Sequence, residues 1–487
     1  MNRYRHSQRY GDKPMTTAIN AIVRRGAASL LALAVLVMAG CDGGILDVDD
    51  RGIVTPEDID AAGPAAVPTL INGLVGNYHE ATDDIIRYSA MLTDEMVLAG
   101  TFPTRAQVDS RRMSPNNATL TNEVYVPLHQ ARMQADTTAF IFDNLLGNPD
   151  FEGVQANLRE GITLARLYGG FSRLWLGELY CWSILTGMAN ESSPLMPNDR
   201  IQDALTFLTE AEQLATQEGL NDVRLAAVLG QARAHLWLGN YTQARDLAQQ
   251  VPRDFTYFAE YSNNDPAQFN EMYTFTHGDT EAIRWSVGDG SQASRGNEVF
   301  EHFEKFVRLN LIDVRPPGFT SFDQSIPVNL QRLYSRPEAD VFMASGYEAR
   351  LIEAEVAVRN GQTGAAEDII NDLRSDFSTR ATIQFGVNPP EPENLLQPIT
   401  LTGELEADVK RVADERAREL WLTGDRHVTS RRLRLDPTVN IDLFPPVKGG
   451  IGGGDDIAFP IVQRELDNNP NLSSGDACPT GSPGSWS

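Results

Sequence analysis

Apolar residues recur at steps of three and four positions along most of the chain, which is the spacing that places side chains on one face of an α-helix. The stretch from Thr121 to Trp182 follows this spacing most fully. Its large apolar side chains fall on one predicted buried face: Leu164, Leu167, Tyr168, Phe171, Leu174, Trp175, Leu179 and Trp182. Because glycine weakens a helix, we expect the glycines inside this stretch to mark close contact with a second helix. They are Gly161, Gly169, Gly170 and Gly177.

A helix, a glycine turn and a second helix occur twice in the chain. The turn glycines, Gly239 and Gly361, lie 122 positions apart, and small residues occupy matching positions on both sides of each turn. These small residues are Ala232, Ala244, Ala354 and Ala366. Helix pairs of this kind build tetratricopeptide repeats, but a regular array would repeat every ~34 residues. The pattern therefore predicts a mostly α fold of tetratricopeptide-like helix pairs, interrupted by long irregular insertions.

Two segments lack the helical spacing. The first runs from Pro252 to Phe342 and is rich in aromatic residues, Asn, Gly and Pro, while the second runs from Phe385 to Thr402 and contains four prolines. Loops of this length in a folded protein are usually functional surfaces or disordered. We therefore expect a loop-rich ligand-binding region at about 252–342 and a C-terminal part at about 343–487. The alternative for any single aromatic residue of these loops is that its side chain packs in the protein core and does not contact a ligand.

The N-terminal segment has the features of a targeting signal. Arg24 and Arg25 precede an apolar run at 27–39, which is shorter than the ~20 residues needed to span a membrane. A positive flank, a short apolar run and small residues at its end are typical of a secretory signal peptide. The run ends in Met-Ala-Gly-Cys at 38–41, which resembles a bacterial lipobox. We therefore expect cleavage before Cys41 and attachment of lipid to this cysteine.

These features divide the chain into three parts. Residues 1–40 are predicted to be a lipoprotein signal peptide that is removed, residues 41–60 a lipid-anchored tether, and residues 61–487 the folded domain. A secreted protein with no lipid on Cys41 is the alternative. The sequence leaves open whether translation starts at Met1 or at Met15.

Composition excludes several classes of function. Asp and Glu outnumber Lys and Arg 66 to 41, and the formal charge of −25 disfavours nucleic acid as a partner. Three cysteines are too few for a disulfide-stapled scaffold or for a cysteine-ligated zinc site. Pairing of Cys181 with Cys478 in an oxidising envelope remains open.

No catalytic signature is present in the sequence. It contains no HExxH, GxSxG or Walker motif, and the glycines at 449–454 lead into two aspartates that would repel phosphate. The histidines show no metal-ligand spacing. We therefore predict no enzyme activity, no metal and no cofactor.

Three C-terminal segments together resemble the SusD/RagB family. They are YEARLIEAEVAVR at 347–359, ERAREL at 415–420 followed by GDR at 424–426, and FPIVQRELDNNPN at 459–471. Members of this family are surface lipoproteins that capture nutrients for a TonB-dependent outer-membrane transporter of the SusC type. The order and spacing of the segments, together with the lipobox, identify the chain as similar to this family over roughly residues 50 to 472.

The resemblance implies a SusD-like, right-handed scaffold of helix pairs and a place in the outer membrane facing the cell exterior. It also implies a SusC-like transporter as partner, with this protein closing as a lid over the ligand and performing no catalysis. The ligand site would lie in the loops between the repeat helices and the C-terminal part.

Oligosaccharide capture requires flat aromatic faces for sugar rings and polar side chains for their hydroxyls. The candidate ligand-binding residues chosen on this basis are Trp285, Tyr257, Tyr261, Tyr334, Asn263, Asn264, Phe102 and Arg105. Three alternatives remain open at this point: a peptide ligand, a helical-repeat scaffold for envelope assembly that binds proteins only, and a surface hydrolase with a dispersed active site.

Overall fold

The computed structural model describes residues 59, 61–185, 195–277, 283–289, 302–315, 322, 328–445 and 454–472. The chain divides into two compact units, Met1–Ala62 and Gly63–Ser487, and the fold given below is that of the second. The predicted signal peptide at 1–40, the lipidation site Cys41 and nearly all of the predicted tether at 41–60 lie outside the described residues. Where the chain is described, no helix is both long enough and apolar enough to cross a membrane.

Helices dominate the described part of the chain, which confirms the mostly α fold. They are α1 (Ala66–Leu92), α2 (Pro103–Asp109), α3 (Val126–Leu145), α4 (Gln155–Leu179), α5 (Pro197–Glu218), α6 (Asn221–Trp237), α7 (Tyr241–Ala248), α8 (Glu271–His277), α9 (Phe303–Arg308), α10 (Gly346–Arg359), α11 (Thr363–Phe385), α12 (Leu405–Glu419), α13 (Asp425–Leu435) and α14 (Gln463–Asn468). A short helix, Ala118–Leu120, and a π-helical turn, Thr121–Tyr125, lead into α3.

The strands of the described residues form short antiparallel ribbons. The pairs are β1 (Val97–Leu98) with β3 (Trp285–Ser286), β2 (Thr256–Ala259) with β6 (Val341–Ser345), and β4 (Ile312–Val314) with β5 (Asn329–Gln331). The sequence predicted irregular structure from 252 to 342, and the ribbons correct that prediction in part. Pairing of Thr256 with Ser345 brings the two ends of the insertion together, so the insertion folds back onto the scaffold from which it leaves.

Successive helices pack side by side around a main core, and a second apolar cluster lies among α10, α11, α12 and α13. Helix α3 packs on α1, α4 on α3, α5 on α4, α6 on α5 and α7 on α6, and after the insertion α10 packs on α7, α11 and α12. Both predicted helix pairs are confirmed as α6–α7 and α10–α11. Their turn glycines, Gly239 and Gly361, have φ angles of +73° and +70°, a left-handed conformation that glycine adopts without strain.

The glycines of α4 mark close helix packing, as the sequence predicts. A Cβ atom at Gly170 would lie 2.7 Å from Leu208 of α5, and one at Gly177 would lie 2.7 Å from Ile201 of the same helix. Side chains at these positions would therefore push the two helices apart. Helix α4 ends at Leu179, so Trp182 lies beyond the helix, and this part of the predicted buried face is wrong.

Cys181 follows directly after α4 in a buried position. It is disulfide-bonded, whereas Cys41 and Cys478 lie outside the described residues. The main chain of Cys181 is fixed by an N–H that donates to the Phe459 carbonyl oxygen at 3.2 Å. The C-terminal segment is thereby joined to the end of α4.

Candidate functional site

Trp285 forms the floor of a cluster of aromatic and charged side chains at ribbon β1–β3. Its ring is fully buried, packs edge-on against Tyr88 of α1 with centroids 5.6 Å apart, and stacks on Phe275 of α8 at 5.1 Å. The guanidinium of Arg87 lies 5.2 Å from the Trp285 ring centroid. Trp285 therefore has no face open to a ligand, contrary to its predicted role, because the ribbon directs its side chain into the core.

Phe102 and Arg105 lie together above this floor, as the sequence predicts. Phe102 precedes α2 and is 54% exposed, while the Arg105 guanidinium lies 4.8 Å from its ring centroid. Arg105 is buried and donates to Glu123 at 3.1 Å and to the Tyr88 hydroxyl at 3.1 Å. The arginine is thus held in place, and it leaves much of the phenyl ring facing water.

A second exposed ring, Phe322, lies at the same end of the ribbon. Phe322 is 43% exposed, and the Arg284 guanidinium lies 4.6 Å from its ring centroid. The main chain places these groups near the segment that leads to Phe102, because the Ala99 N–H donates to the Arg284 carbonyl and the Phe322 N–H donates to the Ile283 carbonyl. We call the set Phe102, Arg105, Arg284 and Phe322 the aromatic rim.

An open cleft of about 670 Å³ lies between the middle of α1 and the segment 260–271. Its polar lining is dominated by carboxyl groups, and we call it the acidic cleft. These groups belong to Glu80, Asp83, Asp84, Glu260 and Glu271. Tyr261, one of the predicted ligand-binding residues, also lines the cleft, and its hydroxyl donates to the main-chain oxygen of His79 at 2.8 Å.

Crowding of carboxyl groups changes their protonation. Burial raises the pKa of Asp84 to about 7, and it raises the pKa of Asp83 well above its usual range together with the neighbouring charges of Asp84 and Glu271. Burial and the charge of Glu271 also raise the pKa of Glu80. The negative charge of the cleft therefore increases as the pH rises through neutrality.

Arg87 connects the acidic cleft with the aromatic rim. It forms ion pairs with Asp84 and Glu271 on the cleft side and with Glu123, at 3.3 Å, on the rim side. Glu123 also pairs with Arg105 of the rim. The two features are therefore linked through Arg87 and Glu123.

The other predicted residues divide between core and surface. Tyr334 is fully buried, and its hydroxyl donates to the Leu422 carbonyl at 2.9 Å, so it has no face for a ligand. Tyr257 is partly buried, with its hydroxyl 3.3 Å from that of Tyr168. Asn263 and Asn264 are exposed in the loop that follows Tyr261, where their amides are free to meet a ligand.

Sequence reasoning missed the acidic cleft and Phe322. One signal for the cleft was present in the sequence, since the spacing of Glu80, Asp83 and Asp84 places the three carboxyl groups on one face of α1. Their partners, Glu260 and Glu271, come from about 180 positions further along the chain, and no local pattern indicates that approach. Across the described ranges, no group of three or more His, Cys, Asp or Glu side chains is placed to hold a metal ion.

No family model and no curated protein matches the sequence, but solved structures match its fold. A SusD/RagB family protein from Bacteroides thetaiotaomicron superposes with a TM-score of 0.59 at 12% identity, covering 86% of this chain and 95% of that one. A SusD-like carbohydrate binding protein from Bacteroides fragilis gives 0.58 at 14% identity, covering 84% and 98%. A SusD-like carbohydrate binding protein from Bacteroides vulgatus gives 0.56 at 14% identity, covering 85% and 98%. The chain therefore has the fold of the SusD/RagB family.

Proposed function

We propose that this protein captures oligosaccharide at the cell surface and passes it to a SusC-type TonB-dependent transporter of the outer membrane. The fold supports a carbohydrate-binding role, because solved proteins with this fold are named as carbohydrate binding proteins. The observation that carries the proposal is the exposed ring of Phe102 with the Arg105 guanidinium fixed beside it.

The aromatic rim supplies both kinds of contact that a sugar requires. The exposed rings of Phe102 and Phe322 offer apolar surface to the C–H face of a pyranose, and covering such a ring removes apolar area from water. Guanidinium and amide groups donate hydrogen bonds to hydroxyls. Arg284 belongs to the rim, and Asn263 and Asn264 are exposed in the loop that follows Tyr261. The site needs no catalytic group, because TonB supplies the energy of uptake.

The lipid anchor and the transporter partner are parts of the same proposal. Lipid on Cys41 would hold the domain at the outer membrane, and the predicted tether would let it close over a transporter as a lid. A single TonB-dependent barrel that copurifies in stoichiometric amount from native membranes in mild detergent would support this arrangement. Recovery of assembly-machine proteins instead would favour the envelope-scaffold alternative and overturn the uptake proposal.

Ligand binding is tested on the mature protein with an array of neutral oligosaccharides and of peptides, followed by calorimetry. We expect oligosaccharide binding that weakens about tenfold in Phe102→Ala, since an aromatic contact is worth up to ~1.5 kcal/mol and ~1.4 kcal/mol corresponds to a factor of ten in affinity. Phe140→Ala is the matched control, because Phe140 is 56% exposed on α3 and is not part of the rim. Binding to peptides alone would contradict the oligosaccharide proposal, and equal effects of the two substitutions would contradict the rim as its site.

A further inference from the structure

Lys305 of α9 carries a half-buried ammonium group that has no ion-pair partner. Where the chain is described, this group makes neither a hydrogen bond nor an ion pair. The chain contains only 4 lysines against 37 arginines, so a lysine at a partly buried position is uncommon here. Because an ammonium group held away from water without a counter-ion is costly, such a position favours an anion that comes from outside the chain.

The packing of α9 places Lys305 beside the C-terminal end of α12. Phe306, the next residue, meets the Trp421 ring edge-on, with the ring centroids 4.7 Å apart. Leu311, which follows α9, lines a small cavity together with Arg418 and Trp421. The helix that carries Lys305 is therefore fixed against the end of α12 that carries Arg418.

Three guanidinium groups lie close enough to act on the Lys305 ammonium. Arg374 and Arg418 bind the same carboxylate, that of Glu415, and the Arg374 Nη1 atom is 2.7 Å from its Oε1 atom. Arg411 is 46% exposed and reaches Asp414 only at 4.0 Å. Two carboxylates thus contact the four cations among the described residues. We define the cationic cluster as Lys305, Arg374, Arg411 and Arg418.

The charges of the cationic cluster repel one another. Burial and then the charges of its three arginines lower the pKa of Lys305 to about 8. Burial and the charge of Arg411 likewise lower the pKa of Arg374. The nearby carboxylate of Glu419 is bound to Arg380 at 2.9 Å, so it does not neutralise the cluster. An excess of positive charge therefore remains at this place, although the chain as a whole has a formal charge of −25.

We infer that the cationic cluster is a binding site for a phosphate group, either free or carried as a monoester by a sugar. Four cations against two carboxylates leave an excess that a phosphate dianion balances. Guanidinium groups donate paired N–H bonds to phosphate oxygens, and an ammonium group adds a point charge. Lys305 and Arg411 are both open to water, so an anion can reach them. The cluster shares no residue with the aromatic rim, and the inference does not depend on the ligand proposed there.

Calorimetry of the mature protein at neutral pH and low salt measures the binding, with inorganic phosphate and glucose 6-phosphate as the two probes. We expect Lys305→Gln to weaken phosphate binding about tenfold, because hydrogen bonds to charged groups are the strong ones. Lys410→Gln is the matched control, since Lys410 is an exposed lysine of α12, and it should change the affinity less than about twofold. When Lys305→Gln weakens both probes, the site is supported, and the tighter probe identifies free phosphate or a phosphorylated sugar as the ligand.

Amine labelling tests the same site in the unsubstituted protein. Residues 41–487 contain three lysines, Lys305, Lys410 and Lys448, so brief acetylation with acetic anhydride followed by peptide mapping compares them directly. We expect phosphate to slow the acetylation of Lys305 about fivefold, because a bound dianion keeps the amine protonated and covers it, and to leave the rate at Lys410 unchanged.

Three results would overturn the inference. They are the absence of binding of both probes, an acetylation rate of Lys305 that phosphate does not change, and equal losses of affinity in Lys305→Gln and Lys410→Gln. The last result would show attraction by general charge alone. None of them bears on oligosaccharide capture, which the Phe102→Ala experiment tests separately.

Discussion

Arg432 of α13 and Glu355 of α10 form a bidentate ion pair, with both N–O distances at 2.7 Å and both side chains buried. Arg359 of α10 contacts the same carboxylate at 2.9 Å. Although burial favours the neutral acid, the charges of Arg432 and Arg359 lower the pKa of Glu355 to about 2. The pair fixes the C-terminal helix α13 to the second repeat, so the scaffold depends on charges that are satisfied only in the folded state.

Glu355→Gln is expected to lower the free energy of unfolding by about 3 kcal/mol, because it leaves the buried guanidinium of Arg432 without its carboxylate and leaves Arg359 with Asp436 alone. Urea unfolding at neutral pH, followed by circular dichroism, measures the change. Glu304→Gln is the control, since Glu304 pairs with Arg308 on the surface, where the side chains are 83% and 64% exposed and exposed pairs contribute little. Equal midpoints for the two variants would contradict a structural role for the buried pair.

The packing of α4 on α5 predicts opposite effects for two glycine substitutions. Gly170→Ala would place a Cβ atom 2.7 Å from Leu208, and overpacking of this kind typically costs about 1–3 kcal/mol. Gly73→Ala on α1 meets nothing within 4 Å and should stabilise the protein by about 0.5–1 kcal/mol, since alanine favours the helix. Thermal unfolding of both variants tests the sign of each change. A stabilised Gly170→Ala variant would show that α4 and α5 have room to separate.

The helical scaffold could be predicted because its signals are local. The spacing of Leu164, Leu167 and Phe171 marks a buried face, and Gly239 and Gly361 mark turns that require a positive φ angle. The ion pairs were less accessible to sequence reasoning. Arg426 pairs with Asp94, more than 300 positions away, and only the folded chain brings such partners together.

The candidate site could be predicted only in part, because composition does not distinguish a buried ring from an exposed one. Trp285 and Phe322 both lie in the aromatic insertion, yet one is fully buried and the other is 43% exposed. Phe102 and Arg105 were identified because a short segment of chain carries both. The carboxyl groups of Glu80 and Glu271 meet only when the insertion folds against α1, and no periodic pattern encodes that approach.

The disulfide bond of Cys181 leads to a prediction about which cysteine is its partner. Cys181 is disulfide-bonded, and the chain contains three cysteines. Because lipid attachment would consume the sulfur of Cys41, we expect Cys478 to be the partner in the mature lipoprotein. Peptide mapping by mass spectrometry without reduction should yield one crosslinked peptide that contains Cys181 and Cys478. A crosslink from Cys181 to Cys41 would contradict the lipid anchor.

The carboxyl group of Glu178 predicts how stability depends on pH. Glu178 of α4 is fully buried, and neither of its carboxyl oxygens has a hydrogen-bond partner. Burial raises its pKa to about 7, whereas glutamate in an unfolded chain titrates near ~4.3. The folded protein therefore retains this proton at a pH where the unfolded chain has lost it. The stability that Glu178 contributes is complete below pH ~4.3 and is lost as the pH rises through about 7.

Glu178→Gln should remove this part of the pH dependence, because glutamine does not titrate. We expect wild type to lose up to about 3 kcal/mol more stability than the variant between about pH 5 and pH 8, since each unit of pKa shift is worth ~1.4 kcal/mol. Burial lowers the pKa of His427 to about 3, which makes stability fall as the pH drops below ~6.5 and acts in the opposite direction. Urea unfolding of both proteins across this range isolates Glu178, because His427 contributes equally to each. Glu160→Gln changes an exposed residue of the same helix and controls for the loss of one negative charge. If the free energy of unfolding of Glu178→Gln and of wild type followed parallel curves against pH, Glu178 would be ionised in the folded protein at every pH tested.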